Sequence, residues 1–334
     1  MRPAPGERRR LFPTSAFAGL LYLIMFTIYA AYAPSTIGLA QINDLLNNTV
    51  VLALSAAGLT LVILTGELDL SSVGVIAVAN VVVATLSATS AGGVISSLVL
   101  VLLIGLLVGL VNGVLVAYVG LQSLACTLGT MIMCEGIALL VLPAPGGEVA
   151  AFIMDRLTDK IFAVVPVAGA ILLLVVVAWL VCRRTRFGIA IYAVGTDAVA
   201  SRLTGINVKR TRLVAFALAG LAYGFAGYML SAQTGTGDPR VSNSFLLYVF
   251  AAVAIGGTSL SGGRGGVIGS VVGAGILTVM QKMLFALGVA EFYTNIFNGI
   301  IMVVAILFGN LASILATRQN APTRMDVDGQ FASN

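Results

Sequence analysis

The chain has 334 residues, of which 59% are hydrophobic and 9% charged, with 18 basic and 13 acidic side chains, a net charge of +5 and no histidine. A soluble domain carries roughly 25% charged residues, so an ordinary water-facing surface cannot be covered, and a soluble enzyme and a nucleic-acid binder are both excluded. The absence of histidine also excludes a His-based triad, a haem with a His ligand and a His-bearing zinc site within this chain. What remains is an all-α polytopic membrane protein whose basic excess reads as an orientation signal.

Apolar runs broken by Pro, Gly, Asn and charge predict about ten transmembrane helices. Arg2, Arg8, Arg9 and Arg10 precede the first span, Phe17 to Ala33. The same start, ending in Ala31-Tyr32-Ala33, also resembles a secretory signal, but nine later spans need an anchor of fixed orientation, which favours an uncleaved helix. The second span, Thr49 to Leu64, is short and runs into "LTGELDLS", which sets Gly66, Glu67, Asp69 and Ser71 between apolar runs. The third is Ser72 to Ala88, also short, and contains Asn80. The fourth, Val94 to Val119, contains Asn112, and the fifth, Gln122 to Leu142, contains Glu135.

The sixth span is Ile161 to Cys182, after which Arg183, Arg184, Arg186, Arg202, Lys209, Arg210 and Arg212 crowd one segment. Leu213 to Ser231 is the seventh span and Phe245 to Gly257 the eighth, again short. "GGTSLSGGRGG" follows, with Gly256, Gly257, Thr258 and Ser259 at its start, then the ninth span, Val267 to Leu287, and the tenth, Phe292 to Ala316, with Asn298. Basic residues resist translocation, so both Arg-rich segments belong in the cytoplasm, which six intervening spans allow; four more spans bring Arg318 and Arg324 to the same side. The predicted organisation is a basic cytoplasmic N-terminus over 1–16, a single transmembrane domain over 17–316 with a cytoplasmic loop over 183–212, and a polar cytoplasmic tail over 317–334, expected to be disordered.

The polar residues inside this frame have structural readings beside functional ones. Glu67 and Asp69 read either as an intramembrane ion-coupling pair, with Glu135 a further candidate, or as acceptors capping the following helix, the reading preferred here. Asn80, Asn112, Gln122, Glu135 and Asn298 read individually as hydrogen-bonding glue between helices, with pathway lining as the alternative. Cys126, Cys134 and Cys182 have no metal-ligand spacing and read as small hydrophobes. Small-xxx-small pairs at Gly105 and Gly109, Gly220 and Gly224, and Gly269 and Gly273 predict close helix contacts, because lipid supplies no hydrophobic drive for association.

The two interrupted segments echo each other. Gly66, Leu70-Ser71 and Gly74 to Ile76 recur in order as Gly256, Leu260-Ser261 and Gly266 to Ile268, the pattern of an internal repeat. Transporters built from repeats place such breaks beside the translocation path. In the basic segment, Asp197 can cap a short helix through Leu203 that Gly205 ends, leaving Ala198, Ala200 and Leu203 as small and apolar surface. A docking element accounts for that pattern better than a merely solvated basic face.

Four ordered blocks, "LTGELDLS", "RTRFG" at Arg184 to Gly188, "AVGTDAVASRLTGINV" at Ala193 to Val208, and "GGTSLSGGRGG", give the chain a resemblance to the permease subunits of bacterial sugar ABC importers of the ribose, xylose and arabinose type, within the branched-chain amino acid and ribose permease superfamily. The resemblance covers Phe17 to about Phe308. It implies a multi-pass inner-membrane protein with both termini cytoplasmic, which moves a monosaccharide or polyol. The implied partners are cytoplasmic ABC ATPase subunits, a periplasmic sugar-binding protein and a second permease, in a homodimer or heterodimer. It also implies that Gly195, Thr196, Asp197, Ala198, Ala200, Ser201, Leu203, Gly205 and Ile206 form the coupling helix that seats in the ATPase.

No enzymatic activity and no cofactor are expected on the chain itself, since no GxxxxGK[ST] phosphate loop occurs in it and ATP would belong to the partner. The chain departs from the family pattern at Glu67, which replaces a glycine; at Ser72, which intrudes before Val73-Gly74; at Phe245 to Phe250, where relatives carry an acidic stretch; and at Thr196-Asp197, where Gly-Asn is usual. Those departures bear on substrate and partner choice. An ion-coupled secondary transporter using Glu67, Asp69 or Glu135 is the alternative function.

Overall fold

Helices that are apolar round their whole circumference must be buried in protein or immersed in lipid, and the computed structural model arranges them in both ways. It describes residues 14–32, 38–86, 91–161, 164–240 and 243–289, together with 293, 296, 297, 299 and 300. The basic residues Arg2, Arg8, Arg9 and Arg10, the tail with Arg318 and Arg324, Asn298 and most of the tenth span lie outside the described residues.

The helices are α1 (Thr14–Tyr32), α2 (Leu39–Leu64), α3 (Ser72–Leu86), α4 (Ala91–Val114), α5 (Ser123–Val141), α6 (Ala151–Thr158), α7 (Val167–Cys182), α8 (Arg186–Thr196), α9 (Ala198–Leu203), α10 (Val208–Thr234), α11 (Asn243–Ile255) and α12 (Val267–Ala286). A π turn, Leu115–Val119, extends α4 and stops at Gly120, whose φ of +87° suits only glycine comfortably. Between α6 and α7 lies a hairpin of β1 (Lys160–Ile161) and β2 (Val165–Pro166), antiparallel with Lys160 opposite Pro166.

The centre of the bundle is α3. Every residue from Ser72 to Ala84 is buried, enclosed by α4, α5, α10 and α11. Helix α2, packed against α10, α11 and α12, is buried almost continuously from Thr49 to Leu64. Helix α10 packs against α2, α3 and α4. The closest approach is between α4 and α10, where the two expected glycine pairs interlock with each other. A Cβ on Gly105 would collide with the Gly220 carbonyl, and one on Gly220 with the Gly105 carbonyl. The third pair, Gly269 and Gly273, lies on the backbone at Ala252 of α11 and at Gly256 just beyond it. Outer faces of α4 and α5, with Leu103, Leu107, Ile132, Met133 and Leu140, are exposed and apolar, as lipid-facing surface should be.

Nine of the ten expected spans fall on described helices, but length separates them. Helices α2, α4 with its π turn, α5, α10 and α12 are long and apolar enough to cross a hydrocarbon layer, and α7 with α8 makes a sixth only if their 79° bend is counted as one span. Helices α3 and α11, with 15 and 13 residues, reach about 22 and 20 Å at 1.5 Å per residue. The second span is not short. It starts at Leu39, ten residues before the expected Thr49, because the polar residues that interrupt the apolar run find partners on other elements. Asn43 and Asn47 both donate to the Thr158 carbonyl over 2.8 Å, Gln233 donates to the Asn47 carbonyl, and Lys282 pairs with Asp44.

Two further differences concern connections. The sixth span starts at Val167 and not Ile161, since Ile161 belongs to the hairpin. The basic segment contains a second helix, α8, before the one anticipated. Thr185 caps it, accepting from the Gly188 amide over 3.2 Å, while Gly188 fits against the Cys182 carbonyl and Arg183 where a side chain would not. That fit allows the sharp turn out of α7.

Candidate functional site

Local chemistry ends α2 at Leu64. The buried Thr65 hydroxyl donates back to the Val62 carbonyl over 2.7 Å, and Gly66 follows with φ of +83°. The next residues are held one at a time. Glu67 pairs with Arg212 of α10 at 2.9 Å. The Leu68 amide donates to the Ser123 hydroxyl at 3.3 Å and the Leu70 amide to the Thr127 hydroxyl at 3.0 Å. Buried Asp69 accepts from the Ser71 amide at 2.9 Å and from its hydroxyl at 2.6 Å, closing a turn whose Ser71 carbonyl then accepts from Val75 inside α3. Asn112 of α4 donates to the same Ser71 hydroxyl at 3.0 Å, and the fully buried Tyr223 of α10 lies beside Asp69. The geometry at Asp69 is that of a helix cap, and the Glu67 carboxylate is engaged with a guanidinium.

The second break is built in the same way. Helix α11 ends at Ile255, Gly257 has φ of +78°, and the Thr258 amide donates back to the Val253 carbonyl over 3.1 Å. Buried Thr258 accepts from the Gly266 amide at 3.1 Å, which joins the two sides of the loop at the start of α12. Within the loop, the Ser259 amide donates to the Arg264 carbonyl and the Gly262 amide to the Ser259 carbonyl, each over 3.0 Å. Thr60 of α2 and Ser270 of α12 share a hydrogen bond of 2.6 Å just inside the bundle. Both breaks open towards the end that carries Arg183 to Arg212, and the first reaches inward to Asp69, beside Tyr223 partway along α10.

The basic segment forms the outer layer of that end. Asp197 accepts from the Val199 and Ala200 amides at 2.8 and 2.9 Å, which caps α9. The helix stops where the Ile206 amide reaches the Ser201 carbonyl and Gly205 takes φ of +87°. Ser201 faces inward, 5% exposed, whereas Val199 and Leu203 are 71% and 84% exposed. Ala198 and Ile206 are half-buried and Ala200 is exposed. Tyr192 of α8 donates to the Gly265 carbonyl at 2.7 Å, and Gly195 and Thr196 pack on the second glycine loop.

The structure therefore brings together Gly66, Glu67, Asp69, Ser71, Asn112, Gly195, Thr196 and the loop that starts at Gly256, Gly257, Thr258 and Ser259. Asn80 lies elsewhere, towards the opposite end of α3. It donates to the Ser231 hydroxyl at 2.9 Å and to the Thr236 carbonyl at 3.2 Å, and accepts from the Asp238 amide at 2.6 Å. Glu135 is half-buried on α5, and the three cysteines are free, with Cys134 buried. Sequence reasoning missed Arg212, Tyr192, Ser123 and Thr127 as site residues. Ser123 and Thr127, four apart, share a helix face, but nothing in the sequence names Leu68 and Leu70 as the donors they meet.

Residues 41–306 match the protein family described as the permease component of the branched-chain amino acid transport system. The chain belongs to that family. Among similar permeases, a probable ABC transporter permease protein of Escherichia coli K12 is 34% identical over 92% of each chain. A ribose import permease of the same strain is 31% identical over 86% of this chain and 91% of its own. An L-arabinose ABC transporter permease of Azospirillum brasilense is 32% identical over 86% and 85%. No solved structure matches the chain. As a member of this permease family, the chain has an ion pair to Arg212 at Glu67, the residue singled out above as a departure from the pattern.

Proposed function

We propose that this chain is the membrane permease subunit of an ATP-binding cassette importer for a monosaccharide or polyol. The observation that carries the reading is α9. It is a capped helix with Val199 and Leu203 exposed in a basic segment, set directly on the end of the bundle where both breaks lie. Exposed large apolar side chains outside the lipid are explained by a protein partner, and a chain without a phosphate loop draws energy from a subunit that has one. Relatives named for ribose and arabinose, aligned over most of both chains, support the substrate class.

In this reading the Arg183 to Arg212 end faces the cytoplasm and receives the ATPase, while α6 and the β1–β2 hairpin face a periplasmic binding protein. Ten spans, nine on described helices, return both termini to the cytoplasmic side of the inner membrane. Two permeases pair, and the pathway runs beside the breaks, alternating its access as the bundles rock. ATP is held by the partner and not by this chain. Of the carboxylates an ion-coupled mechanism would use, Glu67 is paired with Arg212 and one oxygen of Asp69 accepts from Ser71. Vesicles containing the chain, the ATPase and the binding protein should take up a pentose or hexose only with ATP, and should continue when proton and sodium gradients are collapsed. Uptake that stops with the gradients while ATP remains would overturn the assignment.

A further inference from the structure

Three stretches of chain that are remote in sequence meet backbone to backbone at the basic end. The Gly263 amide donates to the Leu64 carbonyl over 3.2 Å, which ties the loop before α12 to the last turn of α2. Gly195, in the last turn of α8, fills the angle between them. A Cβ there would collide with the Leu64 carbonyl and come within 2.5 Å of the Gly263 amide nitrogen. A Cβ on Gly262 would stand 2.8 Å from the Gly66 Cα and 3.1 Å from the Gly195 carbonyl oxygen, and one on Gly263 would stand 2.8 Å from the Thr196 amide nitrogen. Tyr192 adds its 2.7 Å bond to the Gly265 carbonyl.

Such a contact contains almost no side chain that could rotate to absorb a displacement. Closely packed backbones shift as units between discrete arrangements and do not deform gradually. Helix α9 follows α8 after one residue, Asp197, whose side chain caps it. The α8–α9 pair is thus a short arm with exposed Val199 and Leu203 at its tip and Gly195 at its root. Beyond the root, the Thr60 to Ser270 bond joins α2 to α12, so a displacement entering one break reaches both.

Building on the importer reading, we infer that the contact of Gly195 with Leu64 and Gly263 is the joint through which a push on α9 moves the two breaks together. Gly195, Gly263 and Tyr192 are then positioning residues for translocation, separate from the α9 surface that holds the ATPase.

The test uses the complete complex of permease, ATPase and binding protein in vesicles, measuring ATPase co-purification, ATP hydrolysis and sugar molecules moved per ATP for the unaltered chain, Gly195→Ala, Tyr192→Phe and Leu203→Arg. Tyr192→Phe should hold the ATPase and hydrolyse ATP normally, yet move about three-fold less sugar per ATP, and Gly195→Ala should move about ten-fold less sugar per ATP, the range seen for residues along a coupling path. Leu203→Arg should instead lose the ATPase. Unaltered sugar per ATP in Tyr192→Phe overturns the joint, as does unaltered sugar per ATP in Gly195→Ala. Should Gly195→Ala not yield folded protein, Tyr192→Phe decides alone. Absence of ATP-dependent uptake by the unaltered complex would bring down the importer reading itself, and the joint with it.

Discussion

Glycines in this chain divide by what surrounds them, and the division predicts opposite outcomes for one substitution. Gly105 faces the Gly220 carbonyl, whereas a Cβ on Gly129 of α5 would meet nothing within 4 Å. Adding a side chain at Gly105 must push two backbones apart, at the upper end of the overpacking cost, about 3 kcal/mol. Gly105→Leu should therefore markedly lower the thermal unfolding midpoint of the detergent-purified protein, while Gly129→Leu should leave it nearly unchanged. The same spacing rule that marks such positions in the sequence does not sort them: Gly105 and Gly109 were readable as a packing pair, but the partner carbonyls on α10 were not. Glu67 is a similar case. Its position between apolar runs was legible, but Arg212, 145 positions further on in the numbering, was not.

At the scale of elements, α9 is stabilised mainly by its cap, since six residues are too few to form a stable helix from propensity alone. Asp197→Ala removes the acceptor for two amides and should cost about 1 kcal/mol of local stability, read as faster amide hydrogen exchange across Val199 to Leu203. Ala200→Arg leaves that cap in place and adds bulk and charge to an exposed position, so it should abolish ATP-driven uptake while membrane insertion stays normal. It is a cleaner test of docking than Gly205→Arg, whose left-handed backbone would be strained by any side chain. Helix α9 could be read from Asp197 and Gly205. Helix α8 does not read as a helix, because Arg183, Arg184 and Arg186 mark its start as a basic loop, and the Thr185 cap and the fit of Gly188 against Arg183 show only in the folded turn.

At the scale of the molecule, the ends of the helices sort into two groups. The C-terminal ends of α2, α4, α7 and α11 gather at the basic end. Those of α3, α5 and α10 gather at the other, where Gly146 pairs with Gly237 and the Glu148 amide reaches the Ala84 carbonyl. In the proposed orientation, in which α7 crosses between α6 and α9, a cysteine at Phe152 of α6 and one at Val199 of α9 should be labelled from opposite sides of the membrane in a chain otherwise stripped of its three cysteines. Labelling of both from one side would remove the orientation argument and the docking face with it.

Sequence alone determined the solvent of this protein, the approximate position of its helices and the family it belongs to, because composition and apolar run length report directly on lipid, and four motif blocks survive in order. Tertiary structure decided what those blocks do to one another. A polar residue such as Asn43 can sit inside a helix only if a carbonyl from a distant element is there to receive it, and a glycine such as Gly195 matters only through the backbone lodged against it. Both are properties of partners brought together by folding, over separations that no local pattern encodes.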